Sequence, residues 1–215
     1  MTGNFVIGTG VAKTIGSGMV NLSWVTPKVI LAGLIGAIVW DLLTWWWGLP
    51  TSSSHALMGG YAGAAMARVA MIKGFDSISD ALSISGWTKT LIFIVIGPLL
   101  GMLMAQLLMI AVYWLFRNSN PHQMDVWFRR LQLVSSAMLS FSHGGNDAQK
   151  TAGIITGVLV TSGYLKQFEV PQWVLIAAYT AIGLGTMSGG WRIVRTMGGK
   201  LTRLKPRSGF CAETA

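Results

Sequence analysis

The stretch Ser140-Phe-Ser-His-Gly-Gly-Asn-Asp-Ala-Gln-Lys-Thr-Ala-Gly-Ile-Ile-Thr-Gly157 places polar and ionisable side chains between two apolar runs. Ionisable groups at the depth of a bilayer are costly, and they persist where they line a cavity, pair with each other or bind a ligand. Two adjacent glycines directly precede Asn146 and Asp147, and such a pair is where a helix most readily breaks. We therefore interpret this stretch as a binding site at a break in a membrane helix.

The composition of the whole chain is that of an integral membrane protein. Its 215 residues are 52% hydrophobic and 11% charged, whereas globular proteins carry about 25% charged residues. The formal charge of +9 gathers in short segments between apolar runs and near the C-terminus. This distribution is typical of cytoplasmic segments of membrane proteins and does not indicate a nucleic-acid partner. The single cysteine, Cys211, excludes an intrachain disulfide and a thiolate metal cluster.

The apolar runs predict an all-α, multi-span helical bundle with broken or re-entrant helices. A helix that crosses a bilayer needs about 20 apolar residues. The candidate runs are 5–20, which is marginal, 29–47, 90–116 and 173–187. The run 131–165 is long for one straight crossing, which favours a broken helix, and Pro98 predicts a kink or a break. The tryptophans Trp45, Trp46 and Trp47 are typical of an anchor at the membrane interface.

The segment Gly48-Leu-Pro-Thr-Ser-Ser-Ser-His55 predicts the start of another helix, which we expect to continue to Ile72. Pro50 suits the first turn of a helix, and the hydroxyls behind it suit an N-cap. If this helix begins inside the membrane, its free amides and positive dipole end form an anion site. The hydroxyls around that site belong to Thr51, Ser52, Ser53 and Ser54.

Three separated stretches resemble the inorganic phosphate transporter (PiT) family. They are 40–45 with 48–55, 141–150, and 189–192 with 209–213. The resemblance covers essentially the whole chain, with Asp41 standing where the family often has Asn. It implies cation-coupled symport of phosphate by alternating access, in a multi-pass protein of the cell (plasma or inner) membrane. Sodium and protons both fit as the coupling ion, and some bacterial members are thought to carry neutral metal–phosphate complexes.

The family fold consists of two inverted repeats, each with an Asn-Asp motif and a hydroxyl-rich broken helix. By this resemblance, residues 1–116 form the later part of the first transmembrane repeat and 117–130 a hydrophilic cytoplasmic loop. Residues 131–215 form the beginning of the second repeat, with a basic cytoplasmic segment at 192–207. We accordingly expect the chain to be part of a longer transporter.

The resemblance also assigns roles to individual residues. The phosphate-binding residues it implies are Thr51, Ser52, Ser53, Ser54, Asn146 and Lys150. Asp147, with Asn146, would hold the coupling cation, because a carboxylate next to bare phosphate would repel it. From the residues alone, Lys150 either offsets the phosphate charge, pairs with Asp147 or extends to the membrane surface. His55, His143 and Asp41 are expected to contact the binding residues and not the ligands themselves.

No cofactor beyond the coupling ion, and no metal beyond a sodium site, is expected. The glycine-rich helices are compatible with a homodimer. The alternatives are a carrier of a related oxyanion and an intramembrane serine hydrolase with Ser54 or Ser142 as nucleophile. Ser54 and His55 project about 100° apart on a helix and make a poor dyad, whereas Ser54 with His143 remains open. The chain has no Walker-type loop, so ATP hydrolysis is not indicated. The leading hypothesis is a carrier and not an enzyme.

Overall fold

The computed structural model describes residues 18–201 and 205–215, which are almost entirely helical. The α-helices are α1 (Pro27–Trp47), α2 (Ser53–Lys73), α3 (Ile84–Leu115), α4 (Pro121–Thr161), α5 (Gln172–Met187), α6 (Trp191–Arg195) and α7 (Pro206–Thr214). Shorter elements are the 3₁₀ helices Leu22–Trp24 and Phe75–Ala81 and the π-helical segment Thr196–Leu201. Strand-like pairing in the described residues is limited to an isolated bridge between Val20 and Leu82. The predicted all-α class is confirmed.

Two helices of the described chain, α1 and α3, are long and apolar enough to cross a membrane. A third span results when α5 and the segment Trp191–Gly199 are taken together as one span bent by 59°. The predicted multi-span membrane protein is therefore confirmed. The predicted run 5–20 lies largely outside the described residues.

A broken helix is present, but it is not at the predicted position. The break separates α5 from α6 at residues 188–190, where Gly189 has a φ of +99°, a conformation that favours glycine. By contrast, α4 runs without interruption through Gly144 and Gly145. The prediction of a break there was wrong, because a helical glycine costs only about 1 kcal/mol relative to alanine and packing of the neighbouring turns offsets that cost.

Three further predictions about helix ends are corrected. Residues 121–130 are helical and not a loop, because the Asn120 side chain accepts a hydrogen bond from the His122 amide at 3.0 Å and Pro121 occupies the first helical position. α2 begins at Ser53, so Pro50 precedes the helix and is not in its first turn. α3 continues through Pro98, so a break there is excluded, and the alternative of a kink stays a prediction.

The described chain divides into two compact units, of which the first contains the residues up to Thr88 together with Gly144–Thr196. In this unit α1 and α2 pack with their backbones in close contact. A Cβ atom added to Gly33 would lie 2.9 Å from the carbonyl oxygen of Gly60, so this contact requires glycine. Small residues thus allow α2 to pack closely against α1.

The core of the first unit continues onto the central motif. Ala148 and Ala152 of α4 are fully buried and pack against Val174 and Ala178 of α5. This contact buries the face of α4 that lies opposite to its polar residues. It thereby fixes the direction in which the polar side chains of the motif point.

The second unit contains Lys89–His143 and the described residues from Met197 onward. Its core includes Phe128, which is in edge-to-face contact with Phe116 and Phe210 at centroid distances of 5.8 and 5.3 Å. An ion pair of 2.9 Å joins Arg207 of α7 to Asp125 of α4. These contacts attach α7 to the N-terminal part of α4.

A carboxylate of α7 also forms hydrogen bonds with α4. Glu213 accepts hydrogen bonds from the hydroxyls of Ser135 and Ser136, both at 2.8 Å, and from the amide of Gln132 at 3.3 Å. Burial alone would raise the pKa of Glu213, but these three hydrogen bonds stabilise the ionised form and bring its pKa below the ordinary value.

Candidate functional site

The hydroxyl segment Thr51–Ser54 directly follows the end of α1. Gly48 ends that helix in the left-handed conformation, with a φ of +68°. The Thr44 hydroxyl is buried and donates to the Asp41 carbonyl at 3.1 Å, so the Thr51 hydroxyl is the donor in its 3.0 Å bond to Thr44. This side-chain bond fixes Thr51 against the last turn of α1.

The start of α2 has the predicted cap. The Ser52 hydroxyl accepts a hydrogen bond from the His55 amide at 3.3 Å. Thr51, Ser52 and Ser53 are exposed and Ser54 is half-buried, so hydroxyls surround the end of the helix where unpaired amides and the positive dipole end lie. Such an arrangement favours an anion.

Lys150 joins the two motifs. Its ammonium group donates to the Ser54 hydroxyl of α2 and to the Asp147 carboxylate of α4, the latter at 2.5 Å. The Lys150 and Asp147 side chains are only 21% and 23% exposed. Of the three alternatives left open by the sequence, the structure shows the pairing with Asp147. It also brings Ser54 into the same cluster, although 96 positions separate it from Lys150.

Two amides of α4 flank this cluster. Asn146 is exposed and lies one turn before Lys150, on the same face of the helix. Gln149 is 1% exposed, and neither its oxygen nor its nitrogen has a hydrogen-bond partner within the described part of the chain. Gln149 was not predicted as a site residue. Its position three residues after Asn146 was the signal that could have identified it.

The three residues expected behind the site lie in different surroundings. His55 is exposed in the first turn of α2, and His143 is exposed on α4, one turn before Asp147. Asp41 is half-buried in α1, one turn before Thr44, and its carbonyl accepts the Thr44 hydroxyl. Their roles remain predictions.

In residues 18–201 and 205–215, no three His, Cys, Asp or Glu side chains are grouped so that they could hold a metal ion. The role of Asp147 as a ligand of the coupling cation stays a prediction.

An arginine absent from the predicted site supports the turn before the hydroxyl segment. The Arg192 guanidinium lies over the rings of Trp45 and Trp46, at 5.3 and 5.0 Å from their centroids, and donates to the Trp46 carbonyl at 3.0 Å. The sequence predicted that the tryptophans anchor the chain at the membrane interface and that Arg192 belongs to a basic cytoplasmic segment. Their contact was missed because 146 residues separate Arg192 from Trp46.

The whole chain, residues 1–215, matches the phosphate transporter family. A probable low-affinity inorganic phosphate transporter of Rhizobium meliloti is 50% identical over 96% of this chain and 60% of its own length. The corresponding protein of Bacillus subtilis is 41% identical over 95% of this chain and 60% of its own length. That of Mycobacterium leprae is 38% identical over 97% of this chain and 49% of its own. The chain thus spans about half to three-fifths of these relatives.

A solved structure has the same fold. It is described as the sodium-dependent phosphate transporter and superposes with a TM-score of 0.76 at 23% identity, covering 95% of this chain and 68% of that one. At this identity the likeness concerns the fold alone. The sequence match over the full chain and the shared helical fold agree with the motifs, and the chain belongs to the phosphate transporter family.

Proposed function

We propose that this chain forms part of a secondary transporter that moves inorganic phosphate together with sodium or protons by alternating access. The observation that carries the proposal is the contact of Lys150 with both Ser54 and Asp147, which joins the hydroxyl segment to the Asn-Asp motif. Membership of the phosphate transporter family and the names of the relatives support phosphate as the substrate.

The chemistry of the cluster suits phosphate. Hydroxyls of Thr51–Ser54 and the first amides of α2 supply hydrogen-bond donors without a fixed charge, so that release remains possible. Asn146 adds an amide donor, and Lys150 offsets part of the negative charge. Because Lys150 already contacts Ser54, an anion bound by the hydroxyls of α2 lies within reach of the ammonium group.

The same contacts suggest how phosphate and cation are coupled. Lys150 now donates to Asp147, and a phosphate that draws the ammonium group toward itself weakens that pairing. The Asp147 carboxylate then attracts a sodium ion or a proton more strongly, because less of its charge is neutralised by Lys150. Binding of each partner thereby favours binding of the other, which is a coupling free energy between two sites.

Alternating access in such transporters exposes a central site to each side of the membrane in turn. In this chain the basic segment 192–207 is proposed to face the cytoplasm because it follows an apolar span and holds the densest positive charge. The bent helix pair at residues 188–190 is the discontinuous element of the kind found in these folds.

The contact between Lys150 and Ser54 also bears on the alternative of a serine hydrolase. Lys150 contacts Ser54, as a base would contact a nucleophile in a Ser-Lys dyad. However, the ammonium group of Lys150 donates to Asp147 as well. An ammonium group engaged in this way offers the serine no lone pair with which to remove its proton, so the geometry favours a carrier.

The test is uptake of labelled phosphate into proteoliposomes that contain the protein expressed from its complete reading frame. An inward sodium gradient and an inward proton gradient are applied separately, with Asn146→Ala in parallel and Asn118→Ala, in the connection before α4, as the control. Uptake that one gradient drives and that only Asn146→Ala abolishes supports the proposal and identifies the coupling ion. Correctly inserted protein that moves no phosphate under either gradient would refute it.

A further inference from the structure

The amide of Gln149 is a buried polar group that the proposed binding chemistry does not use. Its side chain is 1% exposed, and its two polar atoms lack hydrogen-bond partners within residues 18–201 and 205–215. Buried polar atoms in folded proteins are nearly always hydrogen-bonded, because an unpaired one keeps the full cost of losing its water. An exception next to a candidate anion site therefore points to a ligand.

The position of Gln149 on α4 agrees with this interpretation. With about 100° per residue, Gln149 projects about 60° from Asn146, on the side away from Lys150. Residues three and four apart on a helix are neighbours, so Gln149 lies next to Asn146 on the helix surface, within one turn of the candidate anion site. Positions 145 and 153, four residues before and after Gln149, are glycines and place no side chain against the amide.

We propose that Gln149 is a specificity-determining residue that selects protonated oxyanions, an inference that rests on the phosphate site proposed above. The Nε2 group donates to an ionised phosphate oxygen, and Oε1 accepts the hydrogen of a P–OH group. Phosphate and arsenate both carry at least one proton at neutral pH. Sulfate and selenate carry none and present only acceptors.

Sulfate cannot satisfy this amide in any orientation. Rotation about the last side-chain bond can direct Nε2 toward a sulfate oxygen, but Oε1 then remains unpaired in the buried site. A site whose buried polar groups pair only with the correct substrate strongly rejects an analogue that lacks the matching group. Leaving Oε1 unpaired therefore weakens the binding of sulfate and not that of phosphate.

The other groups of the site do not make this distinction. The hydroxyls of Thr51–Ser54 can rotate to offer a donor or an acceptor, and the ammonium group of Lys150 only donates, so these groups accommodate phosphate and sulfate alike. Asn146 is exposed, so its oxygen can remain hydrogen-bonded to water. Asp147 accepts from Lys150. Gln149 thus provides the buried neutral acceptor that can detect a proton on the anion.

The test measures labelled phosphate uptake, by the protein expressed from its complete reading frame, in the presence of excess arsenate or sulfate. The variants are Gln149→Met, which keeps the length of the side chain, and Gln149→Glu, which keeps an acceptor. Gln123→Met, at an exposed position of the same helix, is the control. We expect arsenate, but not sulfate, to inhibit the wild type and the control.

Gln149→Met should weaken phosphate binding about tenfold and reduce the preference for phosphate over sulfate, because phosphate loses its contacts with the amide and sulfate no longer leaves a buried Oε1 unpaired. Gln149→Glu should still exclude sulfate, and its phosphate affinity should fall more steeply with rising pH, because a carboxylate repels the dianion. Selectivity equal to wild type in Gln149→Met would overturn the inference and leave Gln149 a structural residue. If Gln149→Met does not fold, a phosphate affinity of Gln149→Glu that depends on pH as in the wild type would overturn the inference. Absence of uptake by the wild type would instead refute the proposed function.

Discussion

The ammonium group of Lys150 lies 2.5 Å from the carboxylate of Asp147, one turn earlier on α4, and donates at the same time to the Ser54 hydroxyl of α2. Most of both charged side chains is shielded from water. A positive charge held between a carboxylate and a hydroxyl can move toward an arriving anion without leaving the site. This relationship leads to the first prediction.

Replacing Lys150 with methionine should raise the phosphate concentration needed for half-maximal uptake by about tenfold or more, because a charge-assisted contact is lost and the charge of Asp147 is no longer offset by Lys150. Lys150→Arg should retain part of the affinity. The measurement is initial-rate uptake over a range of phosphate concentrations. Lys166→Met, at an exposed position after α4, is the control, and equal behaviour of the two methionine variants would contradict the prediction.

Removing the Arg192 side chain should loosen the turn before the hydroxyl segment. Contacts with Trp45 and Trp46 and the bond to the Trp46 carbonyl are lost together, so Arg192→Ala should lower the free energy of unfolding by about 1–2 kcal/mol. Thermal unfolding in detergent, with Arg195→Ala on the same short helix as the control, measures the effect. A melting temperature equal to that of the control would show that the contacts of Arg192 contribute no stability.

Glycines at positions 59 and 60 offer a matched pair on α2. A Cβ at Gly60 would collide with the backbone of Gly33, whereas at Gly59 nothing lies within 4 Å. Gly60→Ala should therefore destabilise the protein by about 1–3 kcal/mol. Gly59→Ala should be neutral or stabilise it by about 0.5–1 kcal/mol, through helix propensity. Equal melting temperatures for the two variants would contradict the close approach of α1 and α2.

The stability of the second unit should depend on pH through Glu213. Hydrogen bonds from Ser135, Ser136 and Gln132 outweigh burial and lower its pKa, so its stabilisation is complete above the ordinary value near 4.5 and is lost as pH falls through the folded pKa. Glu213→Gln should lower the melting temperature at neutral pH and remove this component of the acid dependence. Glu169→Gln, at an exposed position, is the control, and an unchanged acid profile in Glu213→Gln would argue against the contacts.

The helix boundaries that follow from local chemistry could be predicted from the sequence. The Ser52 cap and the apolar run of α1 depend on residues within a few positions of each other, so pattern alone identifies them. The Asn120-Pro121 start of α4 uses the same chemistry, but the polar residues that follow it led to the interpretation as a loop.

The continuity of α4 at Gly144 and Gly145 depends on packing that the sequence does not display. Local propensity favours a break at paired glycines, but the neighbouring Ala148 and Ala152 are buried against α5. The contact of Lys150 with Ser54 likewise requires two helices that lie far apart in sequence. The resemblance named both residues as ligands, and only the fold shows that they touch.

The central claim, that the hydroxyl segment and the Asn-Asp motif form one phosphate site, is tested most directly by equilibrium binding of labelled phosphate to the purified protein. Ser54→Ala, Lys150→Met and the double variant complete a thermodynamic cycle. Each single variant should weaken phosphate binding by about tenfold. Because the two side chains contact each other, the double variant should bind phosphate only slightly more weakly than the single variant with the lower affinity. Full additivity of the two effects, or binding equal to wild type in either single variant, would contradict a shared site.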